Sequence, residues 1–290
     1  TDVGSSSPGG RMPRRPLGRT GHEATLFGLG GEGVLRTHGR TREAAAVIHQ
    51  ALDEGVSYCD TAPAYAGSMD YYGAALGDRR REVFLASKTH ERTRDGSLRL
   101  LDDSLKRLRT DHLDLWQLHD LRTRDDLERI FAKGGAIEAL LQARDEKRVR
   151  FLGITGHHDP SILLEAMERF DFDTVLVALN AADPHRASFA GTVVPEAARR
   201  GMGVIGMKVT AQGAILADPG LDMPQAMGYV LSLPGVSLVI VGCRTPEEVK
   251  ENARAACAFR PLDPPAMRRL EERTRPFAEA CSYFKSPSAV

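Results

Sequence analysis

Short apolar runs alternate with longer segments of helical periodicity from about residue 25 to the end of the chain. Strands that alternate with helices pair in parallel, because each helix returns the chain to the same edge of the sheet. The predicted strands cover residues 26–29, 57–60, 83–88, 112–119, 150–155, 174–180, 203–208 and 238–242. These strands predict an α/β fold of the (β/α)₈ TIM barrel type, and an open doubly wound sheet is the alternative.

Three of the predicted helices begin with recognisable capping residues. Thr41, Asp159 and Thr245 each precede a helical segment, and the latter two are followed by proline. The corresponding helices are expected over residues 42–54, 161–170 and 247–257.

Two further segments lie outside the eightfold alternation. Residues 15–25, with Gly18 and Gly21, predict an N-terminal β-hairpin that covers the bottom of the barrel. Residues 264–279 predict an extra C-terminal helix. We expect one domain over residues 14–290, preceded by a disordered extension or expression remnant over residues 1–13.

Charge and cysteine content narrow the classes of partner. The 39 basic and 39 acidic residues cancel, so no overall field attracts nucleic acid or an anionic membrane, and a small-molecule substrate is expected. Cys59, Cys243, Cys257 and Cys281 have neither close pairing nor metal-ligand spacing, which favours a cytoplasmic protein. The oligomeric state stays open.

Polar residues close the second, third and fourth predicted strands. Asp60, Lys88 and His119 stand at these strand ends, and Tyr65 follows in the next loop. The carboxyl ends of barrel strands meet in one mouth, so we expect these four side chains to form a catalytic group.

This group suits hydride addition to a carbonyl, because the oxygen then needs a proton. A free phenol has a pKa of about 10, and a nearby Lys88 cation is expected to lower that of Tyr65. Asp60 would hold Lys88, and His119 would donate a hydrogen bond to the carbonyl oxygen. Taken singly, each residue also fits an ordinary structural role.

The sequence resembles the aldo-keto reductase superfamily from about residue 17 to residue 259. The resemblance rests on Gly28-Leu-Gly30, Asp60-Thr-Ala-Pro-Ala-Tyr65, Leu85-Ala-Ser-Lys88, Leu113-Asp-Leu-Trp-Gln-Leu-His119, Gly153-Ile-Thr155 and the stretch from Val241 to Asn252. It implies a barrel that reduces aldehydes or ketones with NADPH or NADH, without a metal, and a catalytic tetrad of Asp60, Tyr65, Lys88 and His119.

The residues that hold the nicotinamide follow from the same resemblance. Thr155 matches a serine that binds the carboxamide, whereas Gly156 and Leu176 stand where the family has Asn and Gln, unless Asn180 compensates. Met207 stands where many members place an aromatic residue against the nicotinamide ring. A thioether can also pack on the face of such a ring. The expected cofactor-binding residues are Gly30, Gly31, Asp60, Thr155, Gly156, Asn180, Met207, Lys208, Val209, Gly213, Gly242, Cys243, Arg244, Glu248, Glu251 and Asn252.

The segment after the eighth strand bears on the choice between NADPH and NADH. Gly242 and Glu248 stand where many members have a lysine and an arginine for the 2′-phosphate, which leaves Arg244 as the candidate. Glu248 also fits a capping box with Thr245. Because a carboxylate repels a phosphate but accepts from a ribose hydroxyl, we expect weak or reversed discrimination for NADPH. Glu251 and Asn252 would contact the adenine.

Two patterns are expected not to bind ligands of their own. Adjacent His157 and His158 in an extended segment should point in opposite directions, and Asp159 caps a helix, so no metal site is predicted. The glycines from Gly28 to Gly33 lack the context of a dinucleotide fingerprint and are interpreted as the first barrel loop.

The predicted function is NAD(P)H-dependent carbonyl reduction with Tyr65 as general acid. Two alternatives remain: a cofactor-binding regulatory subunit with little turnover, and a dehydrogenase that mainly oxidises an alcohol or sugar. The substrate depends on the mouth loops, including residues 121–135, and on the tail from Cys281.

Overall fold

The computed structural model describes residues 11–285, and its centre is a closed barrel of eight parallel strands. A two-stranded antiparallel hairpin, β1 (Arg14–Pro16) and β2 (Glu23–Thr25), precedes it. The barrel strands are β3 (Phe27–Gly33), β4 (Tyr58–Asp60), β5 (Phe84–Thr89), β6 (Leu113–Leu118), β7 (Val149–Gly156), β8 (Thr174–Ala178), β9 (Gly203–Met207) and β10 (Val236–Cys243). All eight predicted strands are present, and β10 pairs with β3 to close the barrel.

Helices follow the strands and cover the outside of the barrel. They are α1 (Thr41–Asp53), α2 (Ser68–Ala75), α3 (Arg94–Leu108), α4 (Arg124–Phe131), α5 (Ala136–Asp145), α6 (Pro160–Arg169), α7 (Val193–Arg199), α8 (Ala214–Ala217), α9 (Met223–Ser232), α10 (Pro246–Ala258), α11 (Pro264–Thr274) and α12 (Ala278–Cys281). The extra C-terminal helix is therefore present, but it stops at Thr274, and a 3₁₀ turn separates it from α12.

Two of the three predicted helix caps are confirmed. The Asp159 side chain accepts from the Ser161 N–H, and the Thr245 hydroxyl accepts from the Glu248 N–H. The prediction for Thr41 is wrong, because it is the first residue of α1 and the N-cap is Arg40 without a side-chain cap. Without a side-chain cap, α1 is stabilised by the packing of its buried apolar face.

The hairpin closes the bottom of the barrel, as predicted. Its connecting turn inserts Leu17, fully buried, into the barrel interior beside Tyr58 and Phe84. The approach is close: a Cβ at Gly203 would lie 2.6 Å from Leu17 Cδ1. The bottom of the barrel is thus packed solid, which leaves the opposite end as the open face.

Two residues before the predicted domain boundary at residue 14 pack against the barrel. Met12 is buried in the core, and the Pro13 carbonyl accepts from the Leu26 N–H. Residues 1–10 of the expected extension and residues 286–290 of the tail lie outside the described residues. Within residues 11–285, no helix has both the length and the apolar character needed to cross a bilayer.

Candidate active site

A cavity of about 890 Å³ opens at the carboxyl ends of the barrel strands. All four predicted catalytic side chains line it: Asp60 ends β4, Tyr65 precedes α2, Lys88 lies near the end of β5, and His119 follows β6. Parallel pairing of β4, β5 and β6 sets these strand ends side by side.

Lys88 is the buried centre of this group. Its ammonium donates to Asp60 Oδ2 at 2.5 Å and to the Thr61 carbonyl at 2.9 Å. It also lies 4.6 Å from the centroid of the Tyr65 ring. Burial alone would lower the pKa of Lys88, but the Asp60 carboxylate and the Tyr65 phenol raise it overall. The ammonium therefore stays charged beside the phenol.

The phenol of Tyr65 does not have the lowered pKa that the sequence suggested. Burial raises the pKa of Tyr65 above its usual 10.0, and the opposing effect of Lys88 offsets this only in part. The ring meets His119 edge-on at 5.7 Å between centroids. Burial and the Lys88 charge hold the pKa of His119 well below its usual 6.5, so its imidazole is neutral. A neutral imidazole can donate one hydrogen bond without adding charge.

The wall formed by β3 and β10 contains glycines at which there is no room for a side chain. A Cβ at Gly31 would lie 2.4 Å from the Tyr65 ring, and one at Gly242 would lie 2.5 Å from Glu32 Cβ. Thr155 and Met207 line the facing side of the cavity. The residues present thus fit a flat ring with a polar substituent, as a nicotinamide is.

Comparison with known proteins identifies the family. The sequence profile of the Aldo/keto reductase family matches residues 27–225. This chain belongs to that family. It is 27% identical to the L-galactose dehydrogenase of Arabidopsis thaliana, over 87% of this chain and 90% of the relative.

Two solved structures are similar in fold. An aldo-keto reductase from Bacillus halodurans has a TM-score of 0.76 and is 23% identical in sequence. The superposition covers 90% of this chain and 96% of the Bacillus halodurans chain. One from Klebsiella pneumoniae in complex with NADPH has a TM-score of 0.72 at 23% identity, over 87% and 92%. By its family the chain is an oxidoreductase.

The predicted cofactor residues of this aldo-keto reductase divide into two groups. Those that line the cavity are Gly30, Gly31, Asp60, Thr155, Met207, Lys208, Val209 and Gly242. Those outside its lining are Gly156, Asn180, Gly213, Cys243, Arg244, Glu248, Glu251 and Asn252. The first group surrounds the tetrad, whereas most of the second lies on the segment that runs from β10 into α10.

The Asn180 side chain forms hydrogen bonds with backbone groups and does not line the cavity. Its amide donates to the Lys208 carbonyl at 3.2 Å, and its oxygen accepts from the Ala182 N–H at 2.9 Å. It therefore does not replace the missing carboxamide ligands. Thr155 is better placed, because its hydroxyl oxygen accepts from the Asp120 N–H at 2.8 Å and keeps its own proton for a ligand.

Arg244 and Glu248 bind each other. Arg244 Nε donates to Glu248 Oε1 at 3.0 Å, and the Arg244 N–H donates to Glu248 Oε2 at 2.7 Å. The expected capping box is thus altered, because Glu248 accepts from the residue before Thr245. The single arginine expected to meet a 2′-phosphate already has a carboxylate partner.

Several cavity-lining residues are outside the predicted catalytic and cofactor-binding sets. They are Glu32, Gly33, Arg36, Ala64, His90, Arg92, Asp120, Arg122, Asp126, His157, Leu176, Thr210, Gln212, Ile240, Val241, Tyr283 and Phe284. Asp120 directly follows His119 and could have been found by the same strand-end rule. Tyr283 and Phe284 belong to the tail from Cys281, and Arg122 and Asp126 to the loop 121–135, the two segments expected to shape the substrate site.

The tail is held at the cavity by a buried ion pair. Lys285 Nζ lies 2.6 Å from Asp183 Oδ1, and both side chains are 1% exposed. The same ammonium donates to the carbonyls of Arg186 at 2.6 Å and Ala187 at 3.0 Å. This contact fixes Phe284, whose ring centroid lies 5.4 Å from Lys208 Nζ.

The expectation that His157 and His158 point apart is wrong. Their rings lie side by side, 4.2 Å between centroids, and both ring edges approach Asp120. The chain bends where β7 ends at Gly156, so the alternation of an extended strand no longer applies. An imidazole pair and a carboxylate thus meet beside the tetrad.

Proposed function

We propose that this chain reduces an aldehyde or ketone and that Tyr65 gives its phenolic proton to the carbonyl oxygen. The observation that carries the proposal is the buried Lys88 ammonium, 2.5 Å from Asp60 Oδ2 and 4.6 Å from the Tyr65 ring centroid. The nicotinamide, when bound, supplies the hydride from C4. The side chains of the cavity transfer the proton, stabilise the charge that develops and orient the carbonyl.

The charge of each side chain around the carbonyl determines its role in the reaction. As the carbonyl oxygen gains negative charge, Tyr65 releases its proton, and the adjacent Lys88 cation stabilises the phenolate that remains. Asp60 holds Lys88 in place. His119 is neutral, so it orients the carbonyl by donating a hydrogen bond.

Substitution of Tyr65 by phenylalanine tests this proposal. Loss of a general acid typically costs about 10²–10⁴ in rate, so Tyr65→Phe should lower kcat by that factor in steady-state reduction of an aldehyde panel. Tyr283→Phe is the matched control, because it removes another phenol from the same cavity and should keep the wild-type kcat. A Tyr65→Phe protein as fast as the wild type would refute the mechanism.

We further propose that the nicotinamide is held by Thr155, Met207, Gly30 and Gly31, and that NADPH is not strongly preferred over NADH. The pairing of Arg244 with Glu248 supports the second point, because a phosphate would have to displace a carboxylate. Fluorescence titration with both cofactors tests it, and Glu248→Gln should strengthen binding of NADPH relative to NADH. Tight binding of NADPH alone by the wild type would contradict it.

Alcohol oxidation is a second candidate. The 27% identical relative named L-galactose dehydrogenase and the Arg244–Glu248 pair both favour it, since a site open to NAD suits an oxidising direction. The same Tyr65 would then accept the proton of the alcohol. Initial rates measured in both directions with aldehydes, ketones and sugars decide between the two, and no turnover in either direction would favour the regulatory role instead.

A further inference from the structure

Asp120, His157 and His158 form a compact cluster at the mouth of the barrel. Each offers one ligand atom, and these atoms lie within 4.8 Å of one another. Asp120 follows β6, and the two histidines follow β7, so two neighbouring strand ends bring them together. We propose that this cluster binds one divalent transition-metal ion of the zinc type.

The distances within the cluster match those between ligands of one ion. His157 Nε2 lies 3.0 Å from Asp120 Oδ1, and His158 Nε2 lies 3.4 Å from the same oxygen. Ligand atoms about 2.0–2.1 Å from a tetrahedral zinc ion stand roughly 3.3 Å from each other. The two contacts with Asp120 Oδ1 are therefore close to the spacing of ligands that share an ion.

The contacts around Asp120 Oδ1 are compatible with a shared metal ion. His157 Nε2 lies 3.0 Å from this oxygen, which has no hydrogen-bond partner of good geometry. A metal ion bound there would join the imidazoles to the carboxylate in place of a proton.

Burial adds an independent observation. His158 is 5% exposed, and neither of its ring nitrogens makes a hydrogen bond. An imidazole buried in this way loses its hydrogen bonds to water without replacement, which costs free energy. A metal ion at Nε2 supplies the missing partner.

Asp120 is held in the orientation that a ligand needs. Arg122 Nε donates to Asp120 Oδ2 at 2.7 Å, which leaves Oδ1 directed at the histidines. The Asp120 backbone has a φ of 55°, a left-handed conformation that aspartate adopts more readily than most residue types. Two imidazoles and a carboxylate suit zinc, cobalt or nickel.

The position of the ion relates it to the substrate. Asp120 and His157 line the cavity, whereas His158 lies behind them. Three protein ligands leave one position of a tetrahedral ion open, and it would face the cavity. That position takes an oxygen of water or a carboxylate or hydroxyl of the substrate.

Cobalt titration of the dialysed 290-residue chain tests the proposal. Four-coordinate Co²⁺ absorbs visible light strongly, so we expect a spectrum that saturates at one equivalent and disappears when Zn²⁺ displaces the cobalt. Absence of this spectrum and of Zn²⁺ binding by calorimetry would overturn the proposal without bearing on Tyr65.

Variants locate the ion. His157→Asn and Asp120→Asn should each weaken Co²⁺ affinity by at least about tenfold, whereas His38→Asn, which removes an exposed histidine elsewhere, should leave it unchanged. Circular dichroism verifies that each variant is folded. If Asp120→Asn does not fold, the affinity of His157→Asn tests the site, because His157 is partly exposed and its substitution is less disruptive. Wild-type affinity in His157→Asn would assign the ion to other residues and contradict the proposal.

Discussion

Burial sets the protonation state of each residue around Lys88. It raises the pKa of Tyr65, and it lowers the pKa of His119 with help from the Lys88 charge. The phenol is thus kept protonated and the imidazole neutral until a substrate arrives. A lysine that supports the phenolate, rather than a phenol that is already ionised, is the arrangement these groups favour.

The protonation state of Tyr65 sets the pH dependence of carbonyl reduction. The donor form of Tyr65 exists below its pKa, and that pKa lies above 10.0. We therefore expect kcat/KM for carbonyl reduction to stay level through neutral pH and to fall only in the alkaline range. Steady-state rates from pH 6 to about pH 11 measure this, and a limb that falls near neutral pH would assign the proton to another group.

The docked tail is the element that completes the cavity. Lys285 and Asp183 hold each other at 2.6 Å with both side chains almost fully buried. Burying two charges is costly unless they are well paired, and here the Lys285 ammonium also meets backbone carbonyls. The energy of this pair is therefore coupled to the position of Phe284 at the mouth.

Removing the lysine should detach the tail. Lys285→Ala leaves Asp183 buried without its cation, for which losses of about 3–5 kcal/mol in the free energy of unfolding are usual. We expect a lower stability in urea unfolding and a higher KM for substrate, because Phe284 no longer covers the cavity. Arg269→Ala on the exposed face of α11 is the control. An unchanged KM in Lys285→Ala would show that the tail does not shape the site.

The whole molecule separates stability from chemistry by placing them at opposite ends of the barrel. The hairpin and Leu17 pack the bottom, and the tetrad occupies the carboxyl ends of the strands. Among residues 11–285, the hairpin contributes no residue to the cavity lining, although the apolar cluster around Leu17 extends to Leu176, Met207 and Ile240, which do line it. Changes in the hairpin should therefore alter folding more than the reaction.

Leu17 tests that separation. Leu17→Ala removes a fully buried side chain and should cost about 2–5 kcal/mol of unfolding free energy. The folded fraction should keep the wild-type kcat, which active-site titration combined with denaturant unfolding measures. Arg14→Ala, exposed on the same hairpin, should change neither quantity. A reduced kcat in Leu17→Ala would mean that the bottom of the barrel communicates with the mouth.

The sequence by itself determined the eight alternating strands and helices, favoured a barrel over an open sheet, and predicted that Asp60, Tyr65, Lys88 and His119 meet at one edge. Those features depend on local periodicity and on the rule that parallel strands end at one edge, and both can be read from neighbouring residues. Asp120 was within reach of the same rule, because it follows His119 directly.

Only the tertiary structure decided the pKa of Tyr65, the pairing of Arg244 with Glu248 and the meeting of His157 and His158 at Asp120. Each depends on the burial or direction of side chains in loops, where the alternation of a strand or the periodicity of a helix gives no guidance. The tail is the clearest case, since Lys285 finds Asp183 about a hundred residues away along the chain. Such contacts arise from packing, because no local pattern specifies which distant groups will be buried together.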